Sequence, residues 1–164
     1  MLCAGGAVTG QEGGRFGYAL QEAARNGDFD MVVLLLRHGA EVNRRRDDED
    51  TALIRACRGN HIHIVRLLLQ NGADINAQGA DDETALGAAA AAAEWGVEIV
   101  RILLQEGANI NAQGGIYGTA LATAAVHGRV EISRILLQEG ANIDAQGGIY
   151  GTALGAAAAN GGVE

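Results

Sequence analysis

The chain has 164 residues, of which 48% are hydrophobic but only 4% aromatic, and its formal net charge is −8. This acidic balance excludes non-specific nucleic-acid binding, which needs clustered Lys and Arg. The longest small or apolar stretch, Ala85 to Ala93, is far short of the about 20 residues in a membrane span, and the first ten residues lack the basic start of a signal peptide. With two cysteines, Cys3 and Cys57, and no disulfide framework, we expect an intracellular, cytoplasmic protein.

Beyond an N-terminal extension at 1–12, the chain repeats itself about every 33 residues. The segment Thr-Ala-Leu marks this period, beginning at Thr51, Thr84, Thr119 and Thr152, and Tyr18 stands in place of Thr in the first repeat. A fixed period of this size predicts stacked units that share one elongated core. The predicted repeats are 13–45, 46–78, 79–113, 114–146 and a partial fifth at 147–164.

The second repeat shows how each unit is built. Thr51 fits a helix N-cap, and the residues after it place one apolar face on a short first helix. A second helix is predicted over 61–71, and Gly72, the next residue, fits the left-handed position that ends helices. Residues 73–78 then form a β-hairpin-like connection. The other second helices are predicted at 29–38, 97–106 and 130–139.

The third repeat contains two extra residues between Ala88 and Gly96, so its first helix is longer or its turn is larger. Trp95, the only tryptophan, lies at this insertion. One interpretation is an exposed anchor for a partner, because Trp is enriched among residues that dominate binding energy. The alternative is local packing over the Ala-rich helix.

The fifth repeat stops at Glu164, before its second helix, so Leu154 lacks the cover that the earlier repeats provide. Arrays of this kind need a terminal unit with a polar outer face. Two interpretations stay open: the chain is a fragment of a longer array, or its exposed end contacts another molecule. We expect a monomer that has a route to end-to-end association through this repeat.

No residue pattern supports catalysis. Cys57, His61 and His63 have the spacing C-x3-H-x-H, but a metal site needs three or four converging ligands, and a buried Cys57 with an outward His63 explains the pattern better. Ser133 is the only serine and has no arranged His and acid nearby. The glycines at 147–151 match no phosphate-binding motif. We expect no enzyme activity, metal or cofactor.

Helix, tight turn, helix and hairpin on this period, with Leu-Leu-Leu-x-x-Gly-Ala-Asp-Ile-Asn-Ala at 67–77, resemble the ankyrin repeat over roughly 13–164. The resemblance implies an all-α solenoid of stacked helix-turn-helix units that recognises proteins through hairpin tips and the concave face of the first helices. It also places His61 in the family's turn-histidine position. Gly-Gly-Ile-Tyr-Gly-Thr-Ala-Leu, at Gly114 and again at Gly147, is similar to ankyrin tracts of filamentous-fungal signalling proteins.

The predicted tips differ in character along the stack. Basic and acidic residues fill the tips of the early repeats, and the runs 47–50 and 81–83 are expected to be solvated; the last two tips are apolar, with tyrosines that offer large contact area at low entropy cost. For the acidic tips, the alternative to partner binding is that the charge run is simply solvated. For the tyrosines, the alternative is that they pack on the adjacent hairpin. Helix residues at family contact positions complete the candidates for partner binding. The full set of candidate partner-binding residues is Arg15, Phe16, Arg25, Arg45, Asp48, Glu49, Arg58, Asp81, Asp82, Trp95, Ile116, Tyr117, His127, Ile149 and Tyr150.

The sequence therefore predicts a non-enzymatic module of protein–protein interaction with an unknown protein partner. Two other interpretations remain. In the first, the chain is the sensing or scaffold segment of a larger nucleotide-binding signalling protein. In the second, it is a repeat array that associates with copies of itself.

Overall fold

The computed structural model describes residues 18–45, 49–92 and 95–161. Those ranges contain nine α-helices and a short 3₁₀ turn at Ala80–Asp82, without a regular β-strand. In chain order the helices are α1 (Ala19–Asn26), α2 (Phe29–Arg37), α3 (Ala52–Arg58), α4 (Ile62–Gln70), α5 (Ala85–Ala91), α6 (Gly96–Gln105), α7 (Ala120–Val126), α8 (Val130–Gln138) and α9 (Ala153–Gly161). The predicted extension at 1–12 lies outside the described residues, and the repeat boundaries stay a prediction.

The helices form two parallel rows. The first helices α1, α3, α5, α7 and α9 each pack on the next first helix, and the second helices α2, α4, α6 and α8 do the same. Each second helix also packs against the first helix that precedes it. Contacts therefore run between neighbouring units, and the predicted all-α repeat solenoid is confirmed.

The first helices begin as the Thr-Ala-Leu segments predict. In four repeats the threonine hydroxyl accepts a hydrogen bond from the backbone N–H three residues later, at 3.0–3.2 Å. This bond satisfies one of the donors that a helix start leaves without a partner. In the first repeat Tyr18 makes no such capping bond through its side chain. The prediction that Thr51 caps its helix is confirmed.

The second helices lie within one residue of their predicted bounds. Each ends at a glycine with positive φ, such as Gly72 at 82°, and the next residue donates a backbone hydrogen bond to the carbonyl five positions before it. Ala73 donates to Leu68 in this way at 3.0 Å. This is the left-handed helix ending that the glycine predicted.

The extra residues of the third repeat enlarge its turn and extend its second helix. Helix α5 has 7 residues, as α3 and α7 have, so the first helix is not lengthened. Four residues, 92–95, separate α5 from α6, whereas three, 59–61, separate α3 from α4, and α6 has 10 residues where α4 has 9. One extra residue therefore lies between the two helices and one in the second helix.

Aliphatic side chains build one continuous core along the stack. Leu20, Leu53, Leu86 and Leu121 occupy the same position in successive first helices, and all are buried. The second helices contribute Ile64, Ile99, Ile132 and their neighbours. No Phe, Trp or Tyr belongs to the buried core of the described residues, which explains why so few aromatic residues suffice.

Candidate functional site

Three neighbouring tips share one backbone closure. The N–H of Gly79, Gly114 and Gly147 each donates to the carbonyl oxygen four residues later, at 2.7–2.8 Å. Gln78 and Thr84 form an isolated antiparallel bridge at the base of the first of these tips. The connections therefore fold back on themselves as the sequence predicts, in a loop too short for a regular ladder of strands.

Amide side chains hold the connecting loops in register. Asn43 Oδ1 accepts from the N–H of Asp74 at 2.7 Å, and Asn76 and Asn111 accept from the next repeat in the same way at 2.8 Å. Gln78 and Gln113 donate through Nε2 to the backbone oxygen of the following repeat. These bonds order the tips before any partner arrives, and a pre-ordered surface loses less entropy on binding.

The last two tips form one apolar surface. The rings of Tyr117 and Tyr150 stack with centroids 6.1 Å apart and planes within 5° of parallel. The backbone N–H of Ile149 donates to the carbonyl of Ile116 at 3.0 Å, and both isoleucine side chains are exposed. His127, at the end of α7, presents an edge-on ring to Tyr117 at 5.5 Å. We name Ile116, Tyr117, Ile149 and Tyr150 the apolar tips.

The tyrosines of the apolar tips pack partly on the adjacent hairpin, as the alternative interpretation expects. Tyr117 is half-buried between Tyr150 and His127, whereas Tyr150 leaves one side open to solvent. His127 is itself held by Nδ1 at 2.8 Å from the carbonyl oxygen of Thr123. The two rings therefore pack on each other, and Tyr150 still remains exposed.

The tip before them is acidic and exposed. Asp81 and Asp82 both have positive φ, at 53° and 58°, which aspartate tolerates better than most residues. The carbonyl of Asp81 accepts from the N–H of Gly115 at 3.0 Å, so this tip is bonded to the loop that carries Ile116 and Tyr117. Charged and apolar surfaces thus adjoin along one row.

Glu83 corrects the expectation that 81–83 is a solvated run. Glu83 is half-buried, and its carboxylate accepts from the backbone N–H of Thr84 at 3.1 Å. A Cβ on Gly87 or Gly115 would lie 2.2 Å or 3.0 Å from its oxygens, so glycine at both positions makes room for it. Burial raises the pKa of Glu83, opposed by its backbone hydrogen bond and by the charge of Arg58.

Asp50 corrects the same expectation for 47–50. It is buried, its Oδ1 accepts from the N–H of Ala80 at 3.1 Å, and its Oδ2 pairs with Arg58 at 3.0 Å. A buried carboxylate needs such partners because desolvation alone would be costly. Arg58, expected to face a partner, therefore also supports the loop of the next repeat.

Three arginines line a shallow groove on the first two first helices. Arg55 contacts Glu22 of the preceding repeat at 2.6 Å, and Arg25 contacts the same carboxylate at 3.4 Å. Arg58 completes the lining, beside Asp50. We name Arg25, Arg55 and Arg58 the arginine groove. The pair of Arg25 with Glu22 is exposed, so it contributes little to stability and leaves N–H donors of Arg25 for a bound group.

A family model described as ankyrin repeats (3 copies) matches residues 20–114 and also 90–164. The chain belongs to the ankyrin-repeat family. Ankyrin repeats are generally modules of protein–protein interaction and typically non-enzymatic. A search of curated proteins gives no match.

Trp95 stands apart from the ankyrin core. It occupies the N-cap position of α6, makes no capping bond through its side chain, and is 73% exposed. A ring folded over the Ala-rich helix α5 would be largely covered. The exposure favours the interpretation of Trp95 as an anchor for a partner.

The Cys57, His61 and His63 group is divided between different surroundings in the ankyrin stack. Cys57 is fully buried, which raises the pKa of its thiol, and His63 is exposed, as the sequence predicts. The Nε2 of His61 lies 3.0 Å from the carbonyl oxygen of Arg25, so this ring links two repeats. In the part of the chain that the structure describes, no three His, Cys, Asp or Glu residues lie close enough to hold a metal ion.

Some of the predicted partner-binding residues lie outside the apolar tips and the arginine groove. Arg15, Phe16 and Asp48 fall outside the described residues. Arg45 is exposed and Glu49 is partly buried, on either side of 46–48. The described ankyrin helices include none that is long and apolar enough to cross a membrane. The structure thus brings together the apolar tips with His127, while Arg25 and Arg58 lie in a separate groove that includes Arg55, which the sequence did not single out.

Proposed function

We propose that this ankyrin stack is a non-enzymatic module that binds one protein partner along the row of tips and first helices. The apolar tips carry the proposal. Large apolar side chains are exposed at neighbouring loops whose backbones are already fixed by hydrogen bonds. Rigid aromatic and aliphatic contacts of this kind dominate binding energy, because they bury area with little loss of side-chain freedom.

The arginine groove adds a second, polar contact at the other end of the row. Guanidinium groups recognise carboxylates through paired hydrogen bonds. We therefore propose a partner segment with an apolar part against Ile149 and Tyr150 and an acidic part against Arg25 and Arg58. The acidic tip at Asp81 and Asp82 lies between them and disfavours an acidic side chain at that point.

Comparative capture from a lysate of the source organism tests this surface. The double variant Ile149→Asp/Tyr150→Ala removes the apolar contact, and Leu34→Asp is the matched control, since Leu34 is a similarly exposed leucine on α2. We expect specific proteins to be retained by the parent chain and the control but lost by the tip variant. Equal capture by all three chains would reject the apolar tips as the binding surface.

The contribution of the arginine groove is tested separately. Arg25→Gln keeps a hydrogen-bonding side chain but removes the charge, and its parent contact with Glu22 is exposed, so the fold should be unaffected. Capture of the same proteins should fall and should become less sensitive to salt. An unchanged salt dependence would show that the partner does not use this groove.

A further inference from the structure

The arginine groove keeps hydrogen-bond donors that its ion pairs do not use. Arg25, Arg55 and Arg58 each approach a carboxylate oxygen through Nη1, at 3.4, 2.6 and 3.0 Å. Among the described residues, the Nε and Nη2 atoms of these three arginines have no acceptor. These two nitrogens lie on one edge of the guanidinium, and such an edge binds two oxygens of one oxyanion. The groove therefore holds three donor edges without an acceptor.

Contacts within the protein already fix two of these side chains. Asp50 is buried, accepts at Oδ1 from the N–H of Ala80 and holds Arg58 through Oδ2. Arg55 is mostly covered, and its Nε is a buried donor with no acceptor. A buried donor without a partner is unfavourable, so an incoming oxygen atom would stabilise it. A guanidinium that is held in place also loses less side-chain freedom when a ligand binds.

Gly59 lines the groove without a side chain. A Cβ at this position would overlap the ring of His61 and would lie 3.2 Å from the carbonyl oxygen of Arg25. His61 approaches the same oxygen through Nε2 at 3.0 Å, so glycine lets the two turns meet. The groove has a volume of about 440 Å³, and its lining consists of the three arginines, Asp50 and Gly59. It is therefore a polar site that suits a charged group.

The number of arginines favours a phosphate monoester over a carboxylate as the ligand. Glu22 and Asp50 are carboxylates that already pair with the arginines, and the three donor edges remain open beside them. A carboxylate ligand has two oxygens in one plane and matches a single edge. A phosphate monoester has three acceptor oxygens and a charge of about −1.5 to −2 at pH 7, so it matches several edges at once.

The surroundings of the groove favour one phosphate on a protein over a polyanion. The chain has a net charge of −8, which opposes the binding of a nucleic acid or an anionic membrane surface. Asp50 also connects the groove with the acidic tip, because it accepts from Ala80, the residue before Asp81. Asp81 and Asp82 are exposed and would repel a second phosphate on that side.

We propose that the arginine groove binds one phosphorylated side chain of the protein partner. The inference rests on the proposed function, because it names the acidic part of the segment whose apolar part contacts Ile149 and Tyr150. Phosphorylation of the partner then strengthens binding through the groove, while the contribution of the apolar tips stays the same. Glu22 is the internal competitor for this site, since its carboxylate pairs with both Arg25 and Arg55.

Side-chain NMR of the full chain labelled with ¹⁵N tests the class of ligand. The Nε–H signals of Arg25, Arg55 and Arg58 are followed during titration with N-acetyl-O-phosphoserine amide and, separately, with N-acetylglutamate amide. The phosphoserine probe should shift these signals to saturation, with an affinity at least about fivefold higher than that of the glutamate probe, because only the phosphate matches several guanidinium edges.

Three variants connect these signals to the groove. Arg25→Gln breaks only an exposed ion pair and should weaken binding of the phosphoserine probe about fivefold, because one charge-assisted contact is lost. Glu22→Gln removes the internal competitor and should tighten binding about twofold or more, since a neighbouring carboxylate repels the phosphate. Arg101→Gln changes an exposed arginine on α6 and is the matched control, which should bind as the parent does. Circular dichroism verifies that each variant keeps its helices.

Capture from the lysate separates a phosphorylated partner from free phosphate. Treatment of the lysate with a phosphatase should reduce capture by the parent chain several-fold and should leave the lower capture by Arg25→Gln nearly unchanged. Capture that depends on the apolar tips but does not respond to the phosphatase would keep the proposed function and overturn this inference.

Two results of the NMR titration would also overturn the inference. The first is equal affinity for the phosphoserine and glutamate probes, which would make the groove a carboxylate site. The second is no saturation by roughly 10 mM phosphoserine probe, an affinity too weak for a specific contact. Neither result bears on the apolar tips, whose variant tests the proposed function separately.

Discussion

Two segments of this chain have the same sequence and different surroundings. Gly-Gly-Ile-Tyr-Gly-Thr-Ala-Leu occurs at 114–121, between two neighbouring repeats, and at 147–154, which has one neighbour among the residues that the structure describes. The N-cap bond forms in both, at 3.1 Å from Thr119 and from Thr152. The leucine that follows is buried in the first segment and exposed in the second. Local sequence therefore sets the backbone, while the helices packed around the segment supply the burial.

This comparison explains how stability is distributed along the stack. The leucine of a first helix is buried where a second helix and a following first helix pack around it, as around α1 and α7, and is exposed in α9, which has neither among the described residues. The same substitution should then have a large effect in the fourth repeat and a small one in the fifth. Three pairs of variants at equivalent positions separate the local contribution from the contribution of stacking, and a fourth pair compares two carboxylates of one tip.

The largest difference is expected for the leucine pair. Leu121→Ala removes a buried side chain and leaves a cavity, so the free energy of unfolding should fall by about 2–5 kcal/mol. Leu154→Ala removes an exposed side chain and should change it by no more than about 0.5 kcal/mol. Urea unfolding of both variants measures the two values. Equal losses would mean that α9 is covered in solution.

The glycine pair tests how closely the tips approach one another. Gly118 and Gly151 both have positive φ, at 90° and 74°, so alanine costs about 1–2 kcal/mol at either position. A Cβ on Gly118 would also lie 2.5 Å from the carbonyl carbon of Gly147, whereas one on Gly151 would meet nothing within 4 Å. Gly118→Ala should therefore lower the melting temperature clearly more than Gly151→Ala. Similar melting temperatures would contradict the contact between these two tips.

The amide pair isolates one inter-repeat hydrogen bond. Asn111 Oδ1 accepts from the N–H of Asn142 at 2.8 Å, while Asp144, its equivalent one repeat later, has no following repeat to accept from in the described part of the chain. Asn111→Ala should cost about 1 kcal/mol, a typical net value for a hydrogen bond, and Asp144→Ala should cost close to nothing. Amide exchange at Asn142 provides a direct readout. Protection that survives in Asn111→Ala would assign the ordering of this loop to another contact.

The smallest effect concerns pH, at the tip that precedes the repeated segment. Burial raises the pKa of Glu83 above its ordinary value near 4.5, so the folded state holds this proton more tightly than the unfolded state. The contribution of Glu83 to stability is then complete below that value and declines as pH rises through the folded-state pKa. Glu83→Gln cannot ionise, so its stability relative to the parent should increase from about pH 4 to about pH 7.

The exposed Asp82 supplies the control for this pH measurement. Asp82→Asn removes a carboxylate from the same tip, where solvent surrounds the side chain. Its stability difference from the parent should vary less with pH than that of Glu83→Gln. An identical pH profile in the two variants would show that the pH dependence of stability comes from the charge of the tip in general and not from the burial of Glu83.

The sequence by itself determined the repeating elements of this protein. Thr51 and its equivalents predicted the helix starts, and Gly72 predicted a left-handed helix end, because capping depends on bonds between residues three to five positions apart. The second helix predicted over 61–71 follows from the same kind of local signal. These features need no knowledge of what lies beyond the unit.

Only the tertiary structure decided which polar and aromatic residues are covered. Asp50 and Glu83 belong to charged runs that look solvated in the sequence, yet Asp50 is buried against Ala80 of the next repeat and Glu83 is half-buried. Trp95 follows an Ala-rich helix that offered it packing, yet its ring is exposed. Leu121 and Leu154 share the same preceding residues and differ in exposure because α7 packs against a second helix and a following first helix, and α9 has neither among the described residues.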